Sequence, residues 1–198
     1  YSVNDEEKKP YASYAVTVFA EGFKTLHISG VQLLPDGLAV QPAALTPARS
    51  GGINVKNLYI APHTLWGDFP PKIPEDEVKP LPDPGGLVVL PAPVVPEYII
   101  VHLGKPSDQG VKNEWVLFRD YIKNVACSEI YATWERETIK ANVLAIISFT
   151  LNRVYTEWYR GKGYDFTITN STAYDQSFVP ERTIFESISV IVDDLFNT

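Results

Sequence analysis

Apolar and polar positions alternate through residues 14–20, where Tyr14, Val16, Val18 and Ala20 are separated by Ala15, Thr17 and Phe19. A period of two is that of a strand, whose side chains point to opposite faces in turn. Glu21-Gly22 then reads as a turn and 24–33 as a second extended run, and Pro35-Asp36-Gly37 carries the chemistry that returns 38–45 as a third. The pattern predicts the last strands of a small β-sandwich. Three strands bury too little surface to stand alone, so the opening strands are expected to precede Tyr1.

Beyond Glu97 the period lengthens. Residues 98–103 read as a short apolar strand, and 115–130 carry Val116, Phe118, Ile122, Val125 and Cys127 at near-helical spacing. The strongest helical pattern follows, with Ile139, Val143, Ile146, Ile147, Thr150, Val154 and Trp158 three and four apart. Thr133 is suited to cap this helix, Glu135 and Glu137 complement its N-terminal dipole, and Gly161 is expected to end it. A final helix is predicted from Pro180, with Ile184, Ile188, Ile191, Val192 and Leu195 as its buried stripe. Between the last two helices lies a polar and aromatic loop, 163–179, of the kind on which sites are carried.

Composition sharpens the division. Fourteen of the sixteen prolines fall in residues 1–96, and 49–96 show little periodicity around Gly51-Gly52, Pro70-Pro71, the run 80–84 and Pro91-Ala-Pro93. This predicts an extended, proline-rich connection. Its apolar stretches, 87–90 and Val94-Val95, suit packing on a domain better than a free tether. The expected organisation is therefore α+β in three parts: a truncated β-sandwich at 1–48, the connection at 49–96, and a mainly helical module at 97–198.

With 198 residues, 45% of them hydrophobic, the chain can bury a sizeable core. Its net charge of −7 and its lack of any basic block longer than Lys8-Lys9 argue against nucleic acid as a partner. No apolar run approaches the roughly 20 residues that span a bilayer, so no membrane insertion is expected. One cysteine, Cys127, and three scattered histidines do not make a zinc site. No metal or other cofactor is expected. Phosphate-binding loops, dinucleotide fingerprints, nucleophile elbows and zinc-protease motifs are also absent from the sequence.

Attention therefore falls on the carboxylates, most of which sit where a helix would show its wet side. Glu129 differs. It lies in Val125-Ala126-Cys127-Ser128-Glu129-Ile130-Tyr131-Ala132-Thr133-Trp134, among apolar, small and aromatic neighbours at the boundary between two helices. Burial there would raise its pKa toward the range of a general acid, although a helix-end carboxylate also commonly satisfies backbone donors. Loop residues Asn170, Ser171, Thr172, Tyr174 and Gln176 offer donors and acceptors suited to acetamido and hydroxyl groups, or close their own turns. Trp134 stands beside Glu129 as either core or platform.

The segment 120–131, followed by Trp134-Glu135 and 138–143, resembles the stage II sporulation protein D family of peptidoglycan lytic transglycosylases. In that family the Glu of a Ser-Glu pair is the catalytic acid, and here the pair is Ser128-Glu129. Gly161-Lys162-Gly163-Tyr164-Asp165 and Asp175-Gln176 are similar to the family's later segment, and 152–159 with 169–178 are closest to its spore cortex-lytic branch. The likeness covers 97–198, and 14–45 resembles a carboxypeptidase-regulatory-like or transthyretin-like sandwich. Two departures stand out: the Arg of the family's A-A-R-T-Y falls on Ile147, and the metal ligands of its zinc-binding members have no counterparts.

The resemblance implies cleavage between N-acetylmuramic acid and N-acetylglucosamine with formation of a 1,6-anhydro ring, Glu129 acting first as acid and then as base. It implies peptidoglycan strands as partner and a place outside the cytoplasm, in the spore cortex or cell wall. An activating protease acting on a propeptide and a wall-binding domain beyond Thr198 go with it. Ser128, Tyr131, Trp134, Asn170, Ser171, Thr172, Tyr174 and Gln176 are the expected substrate contacts. The rival expectation is a non-catalytic peptidoglycan-binding or envelope-assembly module.

Overall fold

The computed structural model describes residues 9–73 and 90–197; the proline run 80–84 and the apolar residues 87–89 lie outside them. Described residues form an α+β fold of three small sheets and three α-helices. Strands β1 (Ala12–Val18), β2 (Thr25–Leu33), β3 (Ala39–Val40) and β4 (Val55–Tyr59) precede β5 (Tyr98–His102) and β6 (Asn113–Leu117). Then come α1 (Phe118–Glu129), α2 (Arg136–Tyr155), β7 (Ile168–Thr169), β8 (Ile184–Phe185) and α3 (Glu186–Phe196).

The first sheet has the order β1-β2-β4, β1 antiparallel and β4 parallel to β2. The alternation in β2 turns Leu26 and Ile28 inward, where with Val31 and Ile60 they make a small core that reaches Val179 of the helical half. Gly30 is the extra residue of a bulge opposite Tyr14 and Ala15. Its φ of 83° and the Ile60 carbonyl oxygen, into which any Cβ would run, both require glycine.

The main core lies in the second half. Ile99 and Val101 on the central strand of β6-β5-β7 face α1, whose Tyr121, Ile122 and Val125 meet Ile139 and Val143 of α2 and Ile188 and Val192 of α3. As the pattern predicts, α2 buries Ile139, Val143, Ile146 and Thr150.

Several boundaries differ from the predicted ones. The run 115–130 is not one helix: 113–117 pair with β5, and Trp115 is 70% exposed, so the helix starts only at Phe118. The third extended run shrinks to Ala39–Val40 and pairs with β8 instead of β2. Pro42 and Pro47 cannot donate to a ladder, which limits that run. Ile184 accordingly belongs to a strand, and the last helix begins at Glu186, six residues beyond Pro180. Thr133 does not cap α2, which begins at Arg136 without a side-chain cap. That helix stops at Tyr155, and a 3₁₀ turn, Arg160–Lys162, leads to Gly163 in the left-handed conformation at φ 88°.

The described part of the expected connection is tied to both halves. It contributes β4, and beyond it Ile60 N–H donates to Ser29 at 2.8 Å, Thr64 N–H to the Ser128 carbonyl at 3.0 Å and Ile73 N–H to the Ala173 carbonyl at 2.7 Å. Residues 60–73 thus form a strap across the helical half. Buried Arg182 joins the halves from the other side, donating to Gln32 Oε1 at 3.0 Å and to the Ala61 carbonyl at 3.4 Å.

Candidate active site

Glu129 is the last residue of α1, and the chain turns extended at Ile130. Its side chain is half-buried, and its Oε1 accepts the Ser177 N–H at 2.7 Å. Burial raises the carboxyl pKa above its ordinary value; the Ser177 N–H and the Lys72 ammonium oppose it, and burial prevails. The partial negative charge at the end of α1 acts in the same direction as burial.

Lys72 arrives on the strap. Its Nζ donates to the Asp175 carbonyl at 3.2 Å and lies 4.5 Å from the centre of the Phe149 ring, so it is held from two sides beside Glu129. The strap also brings His63, which is buried and stacks on Tyr131 with ring centres 4.4 Å apart and planes 17° apart. Its Nδ1 accepts the Leu65 N–H at 3.2 Å, and burial pushes its pKa down to about 4, so the ring is neutral at physiological pH. Tyr131 in turn meets Trp134 edge-on, ring centres 6.1 Å apart. Neither Lys72 nor His63 was among the sequence candidates. His63-Thr64-Leu65-Trp66, an aromatic-rich patch inside a proline-rich stretch, was the available signal.

The floor of the site is set by Asp175. Its side chain is 0% exposed and accepts from Arg153 Nε at 2.8 Å, Tyr159 OH at 2.7 Å, Thr169 Oγ1 at 2.7 Å and Thr169 N–H at 2.9 Å. Four donors occupy this carboxylate and leave it nothing to offer a substrate or a water. Gln176 is also consumed inside: Oε1 accepts from Thr150 at 2.8 Å and Tyr121 at 3.3 Å, and Nε2 donates to the Ile146 carbonyl at 3.3 Å. Together these two side chains fix the backbone that carries Ser177 to Glu129.

The other sequence candidates divide. Ser128 is fully buried and donates to the Asn124 carbonyl at 2.8 Å, while its own carbonyl receives Thr64; it anchors the strap and does not face solvent. Asn170 and Ser171 close their own loop, Asn170 Nδ2 donating to the Phe178 carbonyl at 3.3 Å and the Ser171 carbonyl accepting from Tyr174 and Asp175. Thr172 is half-buried in the same loop. Tyr174 lines a cleft with Ile73 and Tyr164. Trp134 lines a different groove, with Leu38 and Val190. Buried Gln176 and Ser128 spend their side-chain polar groups inside the protein, whereas Glu129, Tyr131 and Tyr174 are only half-buried.

Among the described residues no three His, Cys, Asp or Glu side chains gather as metal ligands, and no helix is long and apolar enough to cross a membrane. Comparison of the chain with protein-family models, with curated proteins and with solved structures finds no match in any of the three.

Proposed function

We propose that the chain is a peptidoglycan lytic transglycosylase in which Glu129 carries both proton transfers. The resemblance of 120–143 to the sporulation protein D family motivates this reading, and its finer fold readings, a transthyretin-like sandwich and a family-like catalytic module, go with it. One observation carries the mechanism: burial raises the pKa of the half-buried Glu129 carboxyl, while the neighbouring Asp175 is saturated by four donors. Hydrolysis by paired carboxylates needs a second acid or base across the bond. Asp175 has no capacity for that part.

The Ser177 N–H fixes one carboxyl oxygen of Glu129 and leaves the other to carry the proton. That proton passes to the glycosidic oxygen as its bond to muramoyl C1 breaks, and N-acetylglucosamine leaves with a free hydroxyl. Glu129, now a carboxylate, takes the proton of the muramoyl C6 hydroxyl as that oxygen bonds to C1 and closes the 1,6-anhydro ring. The glutamic acid is regenerated without water. Lys72 favours the intermediate carboxylate, and the Ser177 N–H does so too.

The proposed setting is outside the cytoplasm, in spore cortex or cell wall, with cortex degradation during germination as the role and a protease as activator. Mass spectrometry of digested glycan strands tests the reaction. Muropeptides ending in 1,6-anhydro-muramic acid are expected. Reducing ends would mean hydrolysis, and binding without any cleavage would return the non-catalytic reading.

A further inference from the structure

The first strand leaves an edge open. In the sheet of order β1-β2-β4, nothing among the described residues pairs with the outer side of β1, so every second residue of the strand turns its N–H and C=O away from β2 without a strand partner. Such edges are ordinarily guarded by a charge or a proline. Two other edge strands are guarded in this way, β4 by Lys56 and β6 by Glu114. By contrast β1 runs for seven residues with neither a charge nor a proline. The bulge is no guard either, because its extra residue, Gly30, is on β2 and leaves β1 unbroken.

Side chains along this edge lie on the core side of the sheet without being covered. Tyr14, Val16 and Val18 stand opposite Val31, Ile28 and Leu26, all three buried. Yet Tyr14 is 52% and Val16 36% exposed, since the small core ends at β2. The sequence of β1 is complementary to itself. A second β1 running antiparallel about a two-fold axis at Ala15 sets Tyr14 against Val16, Ser13 against Thr17 and Ala12 against Val18, so that apolar meets apolar and hydroxyl meets hydroxyl. Charge fixes the direction. The same register brings Lys9, before the strand, opposite Glu21, after it, once on each side of the axis. Neither residue has an ion pair among the described residues. Parallel pairing would instead oppose Lys9 to Lys9 and Glu21 to Glu21.

We propose that the outer edge of β1 is a self-association surface, on which a second copy of this chain lays its own β1 antiparallel and centred on Ala15, joining the two three-stranded sheets into one. The contact is the same patch on both copies, so it closes at the dimer. It satisfies the outward N–H and C=O groups of both edges and covers the exposed faces of Tyr14 and Val16.

Sedimentation equilibrium of the full chain, from about 1 µM to about 1 mM so that weak association is covered, is expected to show monomer passing to dimer and no larger species. Ala15 is exposed, and Ala15→Lys puts like charges face to face across the axis; it should weaken the dimer by about fivefold, and Ala15→Glu by as much. An equimolar mixture of the two variants should dimerise at least as well as the parent, a result that misfolding cannot give. Ala15→Cys should crosslink on mild oxidation, because residues paired across antiparallel strands hold their Cα atoms about 4.5–5.5 Å apart, within disulfide range. Ala12→Cys should not, since the two copies of that position lie about 20 Å apart along the strands. Buried Cys127 leaves the background low. A chain that stays monomeric up to the highest concentration overturns the proposal. So does a dimer that both charged variants leave unchanged, or a mixture that fails to restore it. Crosslinking of Ala12→Cys as readily as Ala15→Cys would overturn it too, since another register or another surface would then hold the copies together.

Discussion

Glu129 illustrates how one carboxyl is tuned by opposing influences. Burial favours its neutral form, while the Ser177 N–H and Lys72 favour the charged one. Glu129→Gln keeps an acceptor for Ser177 and removes the transferable proton. Turnover should fall toward the upper part of the roughly 10²- to 10⁴-fold range of general acid catalysis, since the proposed reaction uses one group twice. Stability should move the other way. A carboxyl whose folded pKa lies above its unfolded value contributes stability below the unfolded pKa and loses it as pH rises through the folded one. The Gln variant cannot lose it, so its melting temperature should match the parent in acid and equal or exceed it at alkaline pH. A lower melting temperature at alkaline pH would mark Glu129 as a structural acceptor. Glu135→Gln and Glu137→Gln, exposed at the start of α2, should change stability by no more than about 0.3–1 kcal/mol and leave release of anhydro-muropeptides intact. Lys72 gives the pH test. The proposed reaction needs Glu129 protonated, so its rate should decline as pH rises through that pKa; Lys72→Met removes a cation that lowers the pKa, so the alkaline limb should shift upward. A pH–rate profile with the limb unmoved or shifted downward would remove Lys72 from the site.

Among the elements, 173–178 link the core to Glu129. Arg153 and Asp175 form a buried pair with side chains 2% and 0% exposed, and Arg153 also faces the Phe149 and Trp158 rings at 4.5 and 4.0 Å. Arg153→Met leaves the Asp175 carboxylate buried with its charge uncompensated, a change that costs about 3–5 kcal/mol. Urea unfolding should show that loss, and activity should fall further than stability alone requires because Ser177 is two residues from Asp175. An unchanged urea midpoint would show that the remaining donors suffice. This segment also shows where reading a sequence stops. The stripe Ile139, Val143, Ile146 and Thr150 was legible because helical periodicity is local. Trp115 and Val116 were not, since the same residues fit a helix face until β5 pairs with them. Gln176 looked like a ligand for sugars because its chemistry is polar. Only the tertiary fold brings Tyr121, Thr150 and Ile146 around it. The burial of Glu129 was legible from its apolar neighbours in sequence, whereas Lys72, 57 positions earlier, reaches it through the strap.

For the whole molecule, the question is whether the β1-β2-β4 sheet and the helical half unfold as one. Arg182 is 1% exposed and among the described residues has no carboxylate partner; burial lowers its pKa to about 10, so the two acceptors it reaches matter. One of them, Gln32, is itself buried on β2. Gln32→Leu removes that acceptor and leaves part of the guanidinium unsatisfied, at a cost of about 1.5–3 kcal/mol for a hydrogen bond to a charged group. For a chain of this size each kcal/mol moves the melting temperature by about 2–4 °C. Tryptophan placement turns this into a test of coupling. Trp66, Trp115, Trp134 and Trp158 all lie beyond β4, and none is in the sheet that carries Gln32. With Arg182, the strap and the β3–β8 pair joining the halves, the tryptophan fluorescence transition should fall by the same amount as the far-ultraviolet circular dichroism transition. A fluorescence midpoint left in place while the dichroism shifts would show that the sheet melts independently, and the strap that carries Lys72 would then have to hold its place on the helical half without support from β4.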